Sequence, residues 1–242
     1  MRLVASMITR NELGRYLRPS IAHLREFCDE IRVLDDASDD GTCEWLCEQR
    51  GVALAVNEGP SMFEHEGRAR QKLLEWTLAA APDYVLAIDA DEFVTDGAAL
   101  RRSAEAGGEA LTLVMREVWK AGESLWTRED GGWRAHPVPI LWRVPPGNPK
   151  RLRILDRALA CGREPEAVRA AARRGMRPSG ADVLHFGWAR EEEREARYRR
   201  YAEADGGRFH ASAHLNSILW PEERVKLEAR PWPEGLRERL GA

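Results

Sequence analysis

The feature that most constrains this chain is the alternation of short, uninterrupted apolar runs with helix-like stretches across its first 90 residues. The runs occupy residues 2–8 (RLVASMI), 31–34, 52–56 and 84–88 (YVLAI). None alternates apolar with polar residues, so each reads as a strand buried on both faces. Leu13, Leu17, Ile21 and Leu24 recur at the period of a helix that Thr9 or Asn11 would cap. Residues 38–42 supply a turn and a second helix start, with Trp45 and Leu46 on that helix and Gly51 ending it. A third helix is expected over about 67–81, closed by Pro82-Asp83. Strand–helix alternation of this kind gives an α/β fold, a mostly parallel sheet flanked by helices. Ligands of such sheets bind beyond the carboxyl ends of the strands. Two acidic pairs stand at such ends, Asp35-Asp36 and Asp89-x-Asp91.

Past Asp91 the pattern weakens. Helices are expected over 98–106, 164–174 and 190–204, and strands over 111–115, 139–144 and 183–185. The segment 206–242, with Trp220, Pro221, Pro231, Trp232 and Pro233, reads as an irregular arm or lid. A length of 242 residues suits one domain over 1–205, with a first half at 1–95 and a second at 96–205. A chain of this size folds without staples. Cys28, Cys43, Cys47 and Cys161 are therefore expected to be reduced thiols, since nothing completes a zinc set. No apolar run approaches a transmembrane span of about 18–20 residues, and no signal-peptide pattern opens the chain. A cytoplasmic protein is the expectation. The net charge of -3 argues against a nucleic-acid partner.

The strongest local feature is YVLAIDADEF at 84–93. Side chains two apart on an extended chain point the same way, so Asp89 and Asp91 would face one ligand. Two carboxylates at a strand end suit Mg2+ or Mn2+, which would in turn bind phosphate oxygens. The alternative is a solvated acidic turn. A Walker B strand is excluded, because the chain has no Gly-x4-Gly-Lys-Ser/Thr loop. A haloacid-dehalogenase-like phosphatase would use the first aspartate as nucleophile. Its motif follows the first strand, however, and wants Thr or Val where Phe93 stands. The third chemistry that uses such a pattern is that of a nucleotide-sugar glycosyltransferase.

Four segments, MITRNE (7–12), VLDDASDDGT (33–42), Gly-x-Ala-Arg (67–70) and LAIDADEF (86–93), occur in the order and spacing of the family-2 glycosyltransferases, and the chain resembles that family and its GT-A fold. LHFGWA (184–189), followed by a charged helix with Arg197 and Tyr201, is similar to the C-terminal part of one bacterial branch. The likeness covers about residues 1–95 and 180–205. Each motif alone is weak, and the five in sequence are specific.

The resemblance implies a role for each matching position. Thr9, Arg10 and Glu12 would line the nucleotide pocket. Asp35, with Asp36 beside it, would accept a hydrogen bond from the base's imino N–H, favouring uracil, or guanine, over adenine. Arg70, with Arg68 or Lys72, would reach ribose or phosphates, and Asp89-Ala90 would meet the donor. Asp89 and Asp91 would hold Mn2+ or Mg2+, with His185 as third ligand and His210 and His214 as competitors for that place or parts of a lid.

The implied activity is metal-dependent transfer of a sugar from a nucleoside-diphosphate sugar, most readily UDP-linked, to a hydroxyl of a glycan, lipid or protein, with inversion. The proton-accepting carboxylate stays open among Asp130, placed first because it precedes the Gly131-Gly132 turn, Glu117 and Glu129. Trp119, Trp126, Trp133 and Trp142 are either an aromatic platform for the acceptor or core residues. A non-catalytic carbohydrate- or nucleotide-binding domain on a GT-A core, or a haloacid-dehalogenase-like phosphatase, is the competing function, and a homodimer is left open.

Overall fold

The first apolar run becomes the axis of a sheet. In the computed structural model, which describes residues 1–147, 151–155, 162–175, 177–205 and 213–241, β1 (Leu3–Thr9) pairs in parallel with β2 (Glu30–Asp35) on one side and β4 (Tyr84–Ala87) on the other. Strand β3 (Val52–Val56) continues the parallel set beyond β2. Strand β8 (His136–Arg143) runs antiparallel against β4, from Tyr84↔Arg143 to Leu86↔Leu141. The order β8-β4-β1-β2-β3 belongs to the first of two compact units, made of Met1–Asp91, Asp96–Leu113 and Val138–Ala181. The chain is thus a mixed α/β protein with a large central sheet flanked by helices, as its strand–helix alternation requires.

Helix α1 (Leu17–Leu24) turns Leu17, Ile21 and Leu24 into the core, with α2 (Thr42–Cys47) after β2 and α4 (Gly97–Glu105) after β4. Helix α3 (Glu66–Leu78) sets Ala69 and Leu73 against Leu34, and Leu74 against Val85 and Ala87. Helix α5 (Glu166–Arg174) adds Val168 to that second cluster, beside Trp142.

Helix α1 starts at Leu17, several residues after the expected cap. Residues 11–13 are laced instead to the loop after β2. The Asn11 amide donates to Ser38 Oγ at 2.9 Å, the Glu12 and Leu13 amides donate to Thr42 Oγ1 at 3.1 Å, and the Asn11 and Asp39 side chains bond at 2.8 Å. These bonds tie the stretch before α1 to the residues after β2, and Asn11, at φ 54°, stands outside the helical region.

The second unit comprises Glu92–Thr95, Val114–Pro137 and Asp182–Ala242. Strand β5 (Glu92–Val94) pairs antiparallel with β9 (Arg177–His185), from Glu92↔His185 to Val94↔Val183. Strands β6 (Ala110–Ala121), β7 (Leu125–Arg128) and β10 (Leu227–Arg230) form an antiparallel set in the order β6-β7-β10. Helix α6 (Glu191–Asp205) follows β9, with α7 (Ala213–Asn216) and α8 (Leu236–Leu240) further along the chain. The described part of 206–242 is therefore not wholly irregular. It contributes a strand that pairs with β7.

The core of the second unit is aromatic: Trp119, Trp133 and Trp188 with Leu215 and Ile218. Trp142 is buried in the first unit, and only Trp126, at 38% exposure, faces solvent among the four tryptophans considered for an acceptor platform. They form no shared platform. Arg128, 1% exposed, lies over the rings of Trp119 at 4.5 Å and Trp133 at 5.3 Å and donates to the Ser217 carbonyl at 2.7 Å and to Asp130 Oδ1 at 2.8 Å. A planar guanidinium can stack and donate in two directions at once, which an ammonium cannot. Arg128→Lys is expected to lower unfolding stability by about 1–3 kcal/mol in urea titration. An unchanged midpoint would show that the stacking is dispensable.

Candidate functional site

Parallel pairing in the first unit brings the ends of β1, β2 and β4 to one edge. Thr9 stands opposite Asp35 in the β1–β2 register. Asp35 is 1% exposed; its Oδ2 accepts from the Ser38 amide at 3.0 Å, whereas its Oδ1 has no hydrogen-bond partner among the described residues. Thr9, 2% exposed, leaves its Oγ1 without a partner in the same sense. A buried polar atom in that state costs about 1–3 kcal/mol. Two of them stand on paired residues, Thr9 and Asp35. The loops beside it hold Asn11 at φ 54° and Ala37 at φ 60°, conformations that disfavour a side chain.

Asp36 does a different job from the nucleotide contact expected of it. Its carboxylate accepts from Asn57 Nδ2 at 2.8 Å, Ser61 Oγ at 2.7 Å and the Met62 amide at 3.0 Å, which anchors the loop after β3. Glu12 pairs with Arg15 at 2.5 Å. Arg10, Arg68 and Lys72 are exposed, and Ala90 is buried.

Arg70 lies on the other face of α3 from Arg68 and Lys72. It bonds Glu66 Oε1 at 2.7 Å and Asp89 at 3.3 Å. Arg163, a residue that no sequence motif marks, reaches the same aspartate, with Nη1 3.2 Å from Asp89 Oδ2. Burial pushes the Asp89 pKa up, but Arg70 and Arg163 outweigh it, and the carboxyl stays below the usual range while Asp91 pulls against them. Burial works against the Arg70 charge as well, and Asp89 and Glu66 more than restore it.

The second unit gathers its own set. His185 Nδ1 and Glu117 Oε2 lie 2.6 Å apart. A carboxylate on Nδ1 fixes the proton there in the neutral ring and leaves Nε2 as the acceptor. Gly187, buried in the LHFGWA segment, is the second position that sequence reading undervalued. A Cβ on it would sit 2.6 Å from His185 Nε2 and 2.7 Å from both terminal nitrogens of Arg197. Arg197 also covers the Trp188 ring at 4.8 Å. His214 stacks on Trp133 at 4.3 Å. Partial burial and then Arg128 lower its pKa, while Glu117 opposes them.

Asp130 and Glu129 are committed to structure. Asp130 accepts from Arg128 and, at 2.8 Å, from the Lys226 amide; Glu129 accepts from Thr127 Oγ1 at 3.1 Å and the Ala135 amide at 3.1 Å and faces Arg116 and Arg230. His210 lies outside the described residues. No group of three or more His, Cys, Asp and Glu side chains is arranged to hold a metal among the described residues. No helix there is long and apolar enough to cross a membrane. Cys28, Cys43 and Cys47 are free thiols.

The chain matches no sequence profile of a known protein family. It is 26% identical over 220 residues to uncharacterized proteins of Mycobacterium tuberculosis (strain ATCC 25618 / H37Rv) and Mycobacterium bovis (strain ATCC BAA-935 / AF2122/97), which covers 85% of this chain and 51% of each relative. It thus spans about half the length of the curated relatives it matches. In three dimensions it is similar to a mannosyltransferase from Pyrobaculum calidifontis, solved in complex with GDP-Man and Mn2+. The TM-score is 0.51 at 14% identity, over 90% of this chain and 69% of that one. The shared fold bears out the GT-A-type α/β architecture expected from the motifs.

Gly187→Ala is expected to displace His185 and Arg197 at a cost of about 1–3 kcal/mol, the range for overpacking. The His185 imidazole resonances should shift as its contact with Glu117 loosens. Unchanged stability and resonances would mean that the glycine is incidental.

Proposed function

We propose that this chain is a glycosyltransferase that takes a nucleoside-diphosphate sugar, most readily UDP-linked, and passes the sugar to an acceptor hydroxyl with inversion. The observation that carries the reading is the pair of unpartnered buried atoms, Asp35 Oδ1 and Thr9 Oγ1, at the carboxyl edge of a parallel sheet. An acceptor-only carboxylate there suits the imino N–H of uracil and rejects adenine, whose ring nitrogen is itself an acceptor. Guanine carries the same kind of donor, and the Pyrobaculum calidifontis enzyme was solved with GDP-Man. The family-2 assignment rests on the motifs and their spacing.

Glu117 is the base candidate we retain for the acceptor hydroxyl, because Asp130 and Glu129 are engaged by arginines and backbone amides. His185 would orient it and share the proton. A divalent cation on Asp89, Asp91 and His185 fits poorly. Both Asp89 oxygens face guanidinium groups, and the described residues hold no three-ligand cluster. No step of the proposal runs through a metal.

Asp35→Asn exchanges an acceptor for a group that can present N–H to N–H. It should weaken UDP or GDP binding by about 1–3 kcal/mol in calorimetry, with release of nucleotide from the matching sugar donor falling in parallel. Equal affinity in wild type and variant would remove Asp35 from the pocket.

A further inference from the structure

We propose that β3 pairs edge to edge with β3 of a second copy of this chain, antiparallel about a two-fold axis through Leu54. The strand is the outermost of the parallel set, and β2 is the one strand it pairs with among the described residues. The ladder fixes where its remaining backbone groups point. The Ile31 amide donates to the Gly51 carbonyl at 3.1 Å, and the Asn57 amide donates to the Asp35 carbonyl at 2.8 Å. Successive residues of a strand turn their N–H and C=O groups to opposite edges. Gly51, Ala53, Ala55 and Asn57 therefore face β2, while Val52, Leu54 and Val56 present theirs at the outer edge. One of these groups has a local bond: the Val52 amide donates to the Gln49 carbonyl of the preceding turn at 3.3 Å.

A second copy suits this edge because residues 52–56 read Val-Ala-Leu-Ala-Val in either direction. Antiparallel pairing centred on Leu54 sets Leu54 against itself, Val52 against Val56 and Ala53 against Ala55. The Leu–Leu and Val–Val pairs are then the hydrogen-bonded ones, since those residues carry the outward groups. A slip of one residue would set outward groups against inward ones. A slip of two would leave a valine opposite Arg50 or Glu58. In the centred register these two residues, exposed just before and just after the strand, bring opposite charges together at both ends of the pair. A self-complementary contact of this kind closes after two copies.

The edge is also unguarded. Charges, proline or a bulge commonly blunt such edges. Strand β10, at the edge of the antiparallel set, carries Glu228 and Arg230. Strand β3 has neither charge nor proline and keeps an unbroken register with β2. Its first four residues are half-buried and Val56 is exposed. Ala55 packs on the cluster of Leu34, Ala69 and Leu73, which holds the strand in place. A five-residue edge makes a small interface, so the dimer is weak and concentration-dependent. The pairing requires nothing of the nucleotide reading.

The test is sedimentation velocity of the full chain from micromolar to submillimolar concentration, with residue-resolved amide hydrogen exchange at both ends of that range. The expected result is a shift from monomer to dimer. The Leu54 and Val56 amides should slow about tenfold or more as the dimer forms, while Ala53 and Ala55, already bonded to β2, exchange at an unchanged rate. Val56→Lys, at an exposed position, should keep the unfolding midpoint of the monomer and abolish the dimer, because it sets a charge against Val52 of the second copy. A chain that stays monomeric at the highest concentration would overturn the pairing. So would a dimer that Val56→Lys leaves intact, or one in which the Leu54 and Val56 amides exchange as fast as in the monomer. Should Val56→Lys fail to fold, the exchange pattern of the wild-type chain decides alone.

Discussion

Strand β1 is hydrogen-bonded on both edges and buried on both faces, and the placing of the strand ends at the carboxyl edge depends on that one constraint. Leu3, Val4, Ala5 and Met7 have no exposed surface. Fully buried aliphatic side chains are worth about 1.5–3 kcal/mol each, so a slip of β1 against β2 or β4 would forfeit several at once. With the register held, Thr9 must meet Asp35, and the end of β4 must deliver Asp89 to the same side of the sheet. Strand packing thus sets the positions of groups whose chemistry has nothing to do with packing.

Arginine supplies the second organising principle. Nearly all the basic residues are arginine, with lysine only at Lys72, Lys120, Lys150 and Lys226. Two of the arginines are buried in the second unit. Arg128 sits among tryptophan rings, and Arg194 donates to the Trp119 and Trp188 carbonyls at 3.0 and 2.8 Å. Guanidinium is weakly hydrated and keeps its charge, so it can be desolvated where an ammonium would lose its proton. The same property lets Arg70 and Arg163 stand on Asp89 in a nearly buried setting.

The parallel strands were legible because a strand buried on both faces writes itself as an unbroken apolar run, as Tyr84–Ala87 does; Val52–Val56 matches its run residue for residue but, as the outermost parallel strand, is only partly buried, with Val56 46% exposed. Elements made by long-range pairing left no such trace. Strand β10, LEAR, is only partly buried and exists through its ladder with β7. Leu13 fits a helical period, yet it lies in a turn tied to Thr42, 29 residues away. Asp130 looked available beside a glycine turn, but its second oxygen is claimed by the Lys226 amide, 96 residues away. Arg163 carries no motif. Only its proximity to Asp89 gives it meaning, and proximity is what a linear reading lacks. Asp35 could be singled out in advance because its type and its strand-end position both point to an acceptor at an edge.

Each compact unit is assembled from three separate stretches of chain, and neither is contiguous. During synthesis, the first unit cannot close until Ala181 has emerged, because β8 and α5 come late in the chain. The second needs residues beyond Asp182 to complete the ladder begun by β5 at Glu92. Neither unit can therefore be expressed as a single uncut segment. Excising either one would require two new junctions to join its three stretches, and a stop codon placed at residue 95 would release parallel strands without the antiparallel β8 and without Arg163, which precedes α5.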